Sequence, residues 1–466
     1  MLPEDDVRLT AAELARRVNG DLVGSPEAVV TGAEVDSRRL RDGDVFVALP
    51  GARVDGHDFV AEALRVASAA LVDRRPGMAS PPTDRALIVV DDPLAAYHEL
   101  ARRDRLERSW QVVALTGSVG KTTTKDMLAA LLSPHLVTGS SEGNRNSTLG
   151  LPAQLLRQPG DVEVFVAEAG MSRPGELDIL GDLLRPTRLL YTRLAAVHTE
   201  FFDDGFVGVV RAKAELLRHL APDGVLVVNA GDPAQHGFPA RVTADVVRYG
   251  APDADARVER IDDRGLLGTV FDLVLGGRRQ RVELPLAGVH QVENLLAAAA
   301  CASTLGLDAE RVAATSPALC PAPRRGRVHR LDRDVAVVDD SYNASPEAVR
   351  RMLDLLRGVP GRRVAVLGEM YELGPGSAQA HRDVGGVAAT ACDLLVAVGG
   401  ADAAALVDGA VAAGMDAGSV VRVADAEAAA ERVEALLEPG DVVLVKGSRG
   451  VGLDHTVDRL LGREAA

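Results

Sequence analysis

The chain has little of what marks several common classes of protein. Among its 466 residues are only three cysteines, Cys301, Cys320 and Cys392, and their wide spacing excludes the paired thiols of zinc or redox motifs. No run reaches the roughly 18 apolar residues of a membrane-spanning helix, and the acidic start is unlike a signal peptide. We therefore expect a cytoplasmic protein in a reducing compartment.

Basic residues are fewer than acidic ones, 52 against 67. The net charge of -15 argues against nucleic acid or an anionic membrane as the main partner. Lysine is rarer still, because only four of the 52 basic residues are lysines: Lys121, Lys125, Lys213 and Lys446. Lysine and arginine differ in hydration and in reactivity. We therefore expect lysine mainly at positions where arginine cannot replace it.

The remaining composition predicts an α/β protein of several domains. A length of 466 residues with 47% hydrophobic residues predicts two or three domains with substantial cores. Strands at 112–115, 164–167, 189–191 and 225–228 alternate with helical patterns, which predicts a central parallel sheet. A proline-rich stretch at 316–323 predicts a linker to a third, similar unit. We place the domains at 1–109, 110–323 and 324–466.

A glycine-rich loop between a predicted strand and a predicted helix is the strongest chemical signal. Residues 116–124 read TGSVGKTTT, in which glycines let backbone amides converge on phosphate and the helix N-terminus adds positive potential. Leu115 stands where the strict P-loop pattern has glycine, and a chance glycine turn is the alternative. We interpret the loop as an ATP site, with Lys121 on the β- and γ-phosphates and Thr122 on Mg²⁺. Its members are Thr116, Gly117, Ser118, Val119, Gly120, Lys121, Thr122 and Thr123.

Charged candidates follow other predicted strands. Glu168 ends the strand at 164–167, at the sheet edge where α/β proteins bind ligands, although a lone carboxylate is more often a solvated loop residue. His198, taken alone, is more often structural than a ligand. Lys213 is a lysine in a chain that prefers arginine, which indicates an amine that reacts with carbon dioxide. The product, a carbamate, is a carboxylate.

Neutral polar side chains mark two further segments. Asn144 and Asn146 can orient phosphate or acyl oxygens, but asparagine and glycine together also simply make turns. His290 and Asn294 are four residues apart, so they share a helix face if the helix begins early enough, with a helix cap as the alternative.

Together these segments resemble the Mur ligase family over nearly the whole chain. The resemblance rests on the loop just described, the later Glu168, His198 and Lys213, GVHQVEN at 288–294, GR at 326–327 and DDSYNA at 339–344. The first part, with VDSR at 35–38, GDVFVAL at 43–49 and DGHDF at 55–59, is similar to the nucleotide-sugar domain of the family. The leucine at position 115, where the strict P-loop pattern has glycine, agrees with this resemblance, because Mur ligases have the same shorter loop.

Within the family, the C-terminal segments resemble one branch. LGEMYELG at 367–374 and VKGSR at 445–449 are similar to enzymes that join D-alanyl-D-alanine to UDP-N-acetylmuramoyl-tripeptide, and the DNPR motif of the diaminopimelate-adding branch is absent. The resemblance implies an α/β fold of three domains, with a central P-loop ATPase-like sheet and a C-terminal Rossmann-like domain that binds the dipeptide. It implies an ATP-dependent ligase of peptidoglycan precursor synthesis that forms an acyl phosphate and releases ADP and phosphate. We expect a monomer whose partners are these small molecules.

The resemblance also implies a role for each candidate residue. Thr122 and Glu168 would bind a first Mg²⁺, and His198 and a carbamylated Lys213 a second, with Lys121 and Asn144 also catalytic. His290 and Asn294 would face adenine, while Arg327, chosen over Arg324 and Arg325 because it follows the glycine, and Asp340 would meet the γ-phosphate and ribose. Ser37, Arg38, Asn144, Asn146, Lys446 and Arg449 would bind the substrates.

Two alternatives stay open at this point. A sister ligase would use another amino acid, and a P-loop kinase or nucleotide-binding regulatory subunit would have no need of a carbamate at Lys213. The pocket for the third residue of the tripeptide, diaminopimelate or lysine, has no sequence signature.

Overall fold

A first α/β unit is built on a mixed five-stranded sheet. The computed structural model describes residues 9–51, 54–75 and 80–463. The elements of this unit are β1 (Leu9–Thr10), α1 (Ala11–Arg17), β2 (Asp21–Gly24), β3 (Val29–Val30), β4 (Gly32–Glu34), β5 (Asp44–Val47), α2 (Val60–Ala63), β6 (Ala69–Val72), β7 (Ala86–Val89) and α3 (Pro93–Glu107). The sheet order is β2-β7-β6-β5-β4, parallel except for β2, and β1 pairs separately with β3.

The central unit contains a nine-stranded sheet. Its elements are β8 (Gln111–Thr116), α4 (Lys121–Leu132), β9 (Thr138–Ser140), α5 (Gly150–Leu156), β10 (Val164–Glu168), α6 (Glu176–Leu184), β11 (Arg188–Tyr191), α7 (Phe206–Lys213), β12 (Val225–Asn229), β13 (Asp245–Tyr249), β14 (Ala256–Asp263), β15 (Thr269–Leu275), β16 (Arg278–Leu284), α8 (His290–Ser303) and α9 (Ala309–Thr315). The strand order is β16-β15-β14-β13-β12-β11-β8-β10-β9.

The predicted parallel sheet is confirmed for the strands around the glycine-rich loop, from β9 through β13. Strands β14, β15 and β16 extend it with antiparallel pairs that the strand–helix pattern does not predict. A two-residue turn of Gly276 and Gly277, both with positive φ, joins β15 to β16. Consecutive glycines suit such a hairpin turn, so the local signal was present in the sequence.

The C-terminal unit has the predicted Rossmann-like alternation of strands and helices. Its elements are β17 (Arg327–Arg330), β18 (Ala336–Asp339), α10 (Pro346–Gly358), β19 (Arg363–Gly368), α11 (Ser377–Ala391), β20 (Leu394–Val398), α12 (Ala401–Ala412), β21 (Val420–Val423), α13 (Ala426–Leu436), β22 (Val442–Lys446) and α14 (Leu453–Leu460). The order β17-β18-β22-β19-β20-β21 is parallel except for the edge strand β17.

The first two units share one apolar core, because helix α3 packs on α5 and α6. Helix α3 ends at Glu107, just before the predicted boundary, and the buried guanidinium of its Arg105 donates to the carbonyl of Leu184 at 2.9 Å. The boundary after residue 109 stays a prediction, since this helix contacts both units. Across the described ranges, no helix is long and apolar enough to cross a membrane.

Candidate active site

The glycine-rich loop joins the end of β8 to the start of α4 and requires its glycines. Gly117 and Gly120 have φ of 158° and 85°. A Cβ atom on Gly117 would lie 1.9 Å from the hydroxyl of Thr192, and one on Gly120 would lie 2.3 Å from Oδ1 of Asn294. The backbone can therefore make this tight turn only without side chains at both positions. The free amides at the start of α4 form the kind of cradle that binds phosphate.

Lys121, the first residue of α4, folds back over this loop. Its Nζ donates a hydrogen bond to the carbonyl of Gly117 at 2.9 Å. Burial lowers the pKa of the Lys121 amine, and the nearby Arg325 lowers it further, whereas Glu168 opposes the shift. An anion bound in the loop would favour the charged amine.

Glu168 is not a solvated loop residue but the centre of a buried polar group. Because β10 pairs with β8 in parallel register, Glu168 lies opposite Leu115 at the edge where the loop begins. Its carboxylate is 2% exposed and accepts hydrogen bonds from the hydroxyl of Thr122 and from Nδ2 of Asn146, both at 2.7 Å. Three residues that are distant in sequence therefore form one oxygen-rich group.

This group fits Mg²⁺ by its chemistry. A hydroxyl and a carboxylate are the hard oxygen ligands that the ion prefers. The ranges 9–51, 54–75 and 80–463 contain no group of three or more His, Cys, Asp or Glu side chains able to hold a metal. Phosphate oxygens and water would therefore supply the remaining ligands, as is usual for magnesium at nucleotide sites.

A cavity of about 520 Å³ opens beside the loop, between the central and C-terminal units. The predicted site residues that line it are Ser118, Val119, Gly120, Lys121, Thr122, Thr123, Asn144, Asn146, Glu168, His198, His290, Asn294, Asp340, Lys446 and Arg449. Those outside its wall are Thr116, Gly117, Lys213, Arg327, Ser37 and Arg38. Most of the predicted residues thus converge on one space.

Lys213, the last residue of α7, lies outside the cavity wall. Its side chain is 1% exposed, and its backbone carbonyl accepts a hydrogen bond from the Tyr191 hydroxyl at 2.8 Å. Within the described part of the chain, its amine has no hydrogen bond or ion pair. Burial, followed by the charge of Lys121, lowers the pKa of the Lys213 amine well below its usual value. The neutral amine is the form that can react with carbon dioxide.

His198 connects the central unit to the C-terminal unit. It has left-handed backbone angles, with φ 57°, and its Nδ1 forms a hydrogen bond with the carboxylate of Glu372. That bond lowers the pKa of the Glu372 carboxyl. Next to it, the Thr199 hydroxyl donates to the carbonyl of Leu373 at 3.2 Å. The histidine therefore stands at the junction of the two walls.

Helix α8 begins at His290, so His290 and Asn294 do lie on one helix face. Val289 is the N-cap residue, which makes the helix-cap alternative wrong. Nδ2 of Asn294 donates to Oε1 of Gln291 at 2.9 Å. Burial lowers the pKa of His290 to about 3, so the ring is neutral near pH 7.

The three candidate arginines differ in their position relative to the cavity. Arg327 begins the edge strand β17, is exposed and lies outside the cavity wall. Arg324 pairs with Asp339 at 3.2 Å. Arg325 lines the cavity and stacks its guanidinium 4.1 Å from the ring centre of Tyr342. Of the three arginines, Arg325 is the one that lines the cavity, so we take Arg325 rather than Arg327 as the candidate phosphate contact.

Asp340 and Lys446 form one ion pair, although the sequence suggested separate roles for them. Nζ of Lys446 is 2.5 Å from Oδ2 of Asp340 and also donates to the carbonyl of Asn343 at 2.8 Å. The pair forms because β18 and β22 are parallel neighbours whose carboxyl ends carry both residues. Burial raises the pKa of Asp340. Arg449 lies nearby, 5.2 Å from the ring centre of Tyr342.

Ser37 and Arg38 lie in a short 3₁₀ turn of the first unit, away from this cavity. Arg38 is exposed and pairs with Asp36 at 2.8 Å. Tyr342 and Glu372 are two of several lining residues for which no role was predicted. Both stand inside segments, DDSYNA and LGEMYELG, that the resemblance singles out, so position within a motif was the available signal.

Three family models match the chain. They are described as Mur ligase family, catalytic domain, at 29–105, Mur ligase middle domain at 115–302, and Mur ligase, glutamate ligase domain, at 324–449. The UDP-N-acetylmuramoyl-tripeptide--D-alanyl-D-alanine ligase of Bacillus subtilis (strain 168) is 30% identical over 464 residues, which cover 98% of this chain and 99% of that protein.

Solved structures are similar over the same extent. MurF from Acinetobacter baumannii, in crystal structure I, has a TM-score of 0.88 and 29% identity, covering 98% of this chain and 99% of that one. MurF ligase from Thermotoga maritima in complex with ADP has a TM-score of 0.79 and 29% identity, covering 92% and 96%.

The glycine at the start of α4 provides a direct test of the phosphate cradle. Gly120→Ala places a Cβ against Asn294 at a positive φ, so we expect the dissociation constant for ATP to rise about tenfold or more. Isothermal titration calorimetry measures it. Gly237→Ala is the matched control, because that glycine has no atom near its Cβ position. Equal affinities for the two variants would contradict the cradle.

The two arginines can be separated in the same assay. Arg325→Ala removes a guanidinium from the cavity wall, and we expect ATP affinity to fall about tenfold, as for one charge-assisted hydrogen bond. Arg327→Ala removes an exposed edge-strand side chain and is expected to leave ATP affinity within about twofold. The reverse order would restore Arg327 as the phosphate contact.

Proposed function

Because the chain belongs to the Mur ligase family, we propose that it joins D-alanyl-D-alanine to UDP-N-acetylmuramoyl-tripeptide with the conversion of ATP to ADP and phosphate. This is a step of peptidoglycan precursor synthesis. The observation that carries the proposal is that one cavity is lined both by the Thr122, Glu168 and Asn146 group and by the Asp340–Lys446 pair of the C-terminal unit. The Bacillus subtilis relative has this activity in its name and is similar over 98% of this chain, a span that includes both halves of that cavity.

The chemistry explains why both halves are needed. A carboxylate is a poor acylating agent at neutral pH, so the terminal carboxylate of the tripeptide attacks the γ-phosphorus of ATP and ADP leaves. The dipeptide amine then attacks the acyl carbon, phosphate leaves, and the amine loses its proton to solvent. Lys121 and the amides of α4 neutralise charge that gathers on the phosphate during the first step. The Asn144 amide orients the acyl group.

Glu168 and Thr122 would hold the first Mg²⁺, which supplies charge compensation between phosphate oxygens when it is bound. His198 and a carbamylated Lys213 would hold a second ion. The support for the carbamate is the deep burial of the Lys213 amine, its lack of a partner in the described ranges, and the depressed pKa that keeps it neutral and nucleophilic. A carbamate would also compensate the positive charge of Lys121 next to it.

The other substrates are assigned by the position of each residue. His290 and Asn294 would contact the adenine side, and Arg325 and Asp340 the γ-phosphate and ribose. Ser37 and Arg38 belong to the first unit, which would hold the UDP part of the substrate. Lys446 and Arg449 would contact the incoming dipeptide. All the residues assigned to the substrates belong to one chain, which is consistent with a monomer. The need for ATP favours a cytoplasmic location.

The activity is tested by phosphate release. The protein is incubated with ATP, Mg²⁺ and UDP-N-acetylmuramoyl-tripeptide, with and without D-alanyl-D-alanine. We expect phosphate release to require the dipeptide and to match formation of the pentapeptide product by mass spectrometry. L-alanyl-L-alanine serves as the control amine. Phosphate release that does not depend on the dipeptide would contradict the proposed activity and favour a kinase or other nucleotide-binding protein.

The role of Lys213 is tested by carbamate formation, which a lysine amine can undergo and an arginine at the same position cannot. With ¹³C-labelled bicarbonate, we expect a carbamate carbon signal by NMR in the wild-type protein and none in Lys213→Arg. Lys213→Ala should reduce ligation by about a hundredfold or more, with partial rescue by small carboxylates such as formate. Near-wild-type ligation by Lys213→Ala would remove Lys213 from the mechanism. Lys125→Arg, at another buried lysine, is the control for the NMR signal.

A further inference from the structure

A buried ionic cluster connects the first unit to the loop that carries Asn144 and Asn146. Glu34, at the end of β4, is 1% exposed and lies 2.8 Å from a guanidinium nitrogen of Arg145 and 3.3 Å from one of Arg157. Asp44, at the start of β5, is also buried and lies 2.6 Å from Arg157. Both acids come from the first unit and both arginines from the central unit.

Glu34 also organises the backbone of its own unit. Its Oε1 accepts hydrogen bonds from the amides of Val35 at 3.0 Å and Asp36 at 3.3 Å, and the same oxygen accepts from Arg145. Those two amides immediately precede the 3₁₀ turn Ser37–Arg39. A single carboxylate oxygen therefore joins the start of that turn to the central unit.

Arg145 stands between the two asparagines of the candidate active site. Its neighbour Asn146 donates to Glu168 through its side chain and accepts from the amide of Gly170 at 2.8 Å through its carbonyl. A Cβ on Gly150 would lie 2.9 Å from the Cα of Arg145, so the segment is closely packed. A shift of Arg145 would therefore move the amides on either side of it.

The cost of breaking this contact favours a fixed geometry. A buried carboxylate that loses a partner is left with uncompensated charge. The cluster is therefore stable only when the first and central units are positioned so that the acids and arginines meet. Such pairs specify an arrangement more than they add net stability. Arg157 has two acids to bond, whereas Arg145 has Glu34 as its only ion-pair partner in the residues that the structure describes.

We propose that the Glu34–Arg145 ion pair is a positioning contact that sets the Asn144–Asn146 loop relative to the first unit. This contact would hold the turn at Ser37–Arg39 and the polar group around Glu168 in a fixed position relative to each other. The inference rests on the proposed function for its effect on catalysis, because acyl transfer requires the asparagine amides to be correctly placed.

Three variants separate positioning from general stability. Glu34→Gln and Arg145→Met each remove the pair. Asp44→Asn is the matched control, because it breaks the Asp44–Arg157 ion pair of the same interface without touching Arg145. We expect the first two to lower kcat about tenfold while KM for ATP stays within about twofold. We expect Asp44→Asn to keep kcat within about twofold. The double variant Glu34→Gln/Arg145→Met should lose no more than either single variant.

A second measurement does not depend on ligase activity. Amide hydrogen exchange of residues 140–150, without substrates, should accelerate in Glu34→Gln and Arg145→Met but not in Asp44→Asn. Arg145→Met leaves Glu34 paired with Arg157, so it reports on the contact even if Glu34→Gln fails to fold. Unchanged exchange, or an equal effect in all three variants, would overturn the positioning role. Faster exchange in a protein without dipeptide-dependent ligation would keep the contact and reject the proposed function.

Discussion

The parallel pairing of β8 with β10 is the constraint on which the candidate active site depends. This register brings the end of β10 beside the glycine-rich loop, so Glu168 can accept from Thr122 on α4 and from Asn146 on a separate loop. A shift of one residue would turn Glu168 to the opposite face of the sheet. The 2% exposed carboxylate would then lose both hydrogen-bond donors, and each hydrogen bond to a charged group contributes about 1.5–3 kcal/mol.

The second constraint is that two units build the cavity together. His198 and Glu372 bond across it, and Arg351 of the C-terminal unit pairs with Glu293 of the central unit at 2.9 Å. Each polar wall lies at the carboxyl ends of its own parallel sheet, where α/β proteins bind ligands. The carboxyl ends of the two sheets border the same cavity. The phosphate cradle of the central unit and the basic and acidic groups of the C-terminal unit therefore lie around one space, as a two-step ligation needs.

The shortage of lysine has a structural counterpart. Lys125, Lys213 and Lys446 are each at most 3% exposed, and Lys121 bonds its own loop. Lys125 donates to the carbonyl of Ser141 at 2.5 Å, and the Ser141 hydroxyl accepts from the amide of Glu168. The scarcity of lysine in the composition thus indicated residues near the candidate active site, but it did not indicate what each lysine contacts.

The sequence by itself determined the strand–helix alternation, the phosphate loop and the position of Glu168 at a strand end, because these follow from hydrophobic periodicity and local turn chemistry. It also contained the glycine pair of the β15–β16 hairpin. Only the tertiary structure decided that Arg325 and not Arg327 faces the cavity, that Asp340 pairs with Lys446, and that Glu34 bonds Arg145 across two units. The last two contacts join residues 106 and 111 positions apart, and their formation depends on how sheets and units pack, which no local pattern encodes.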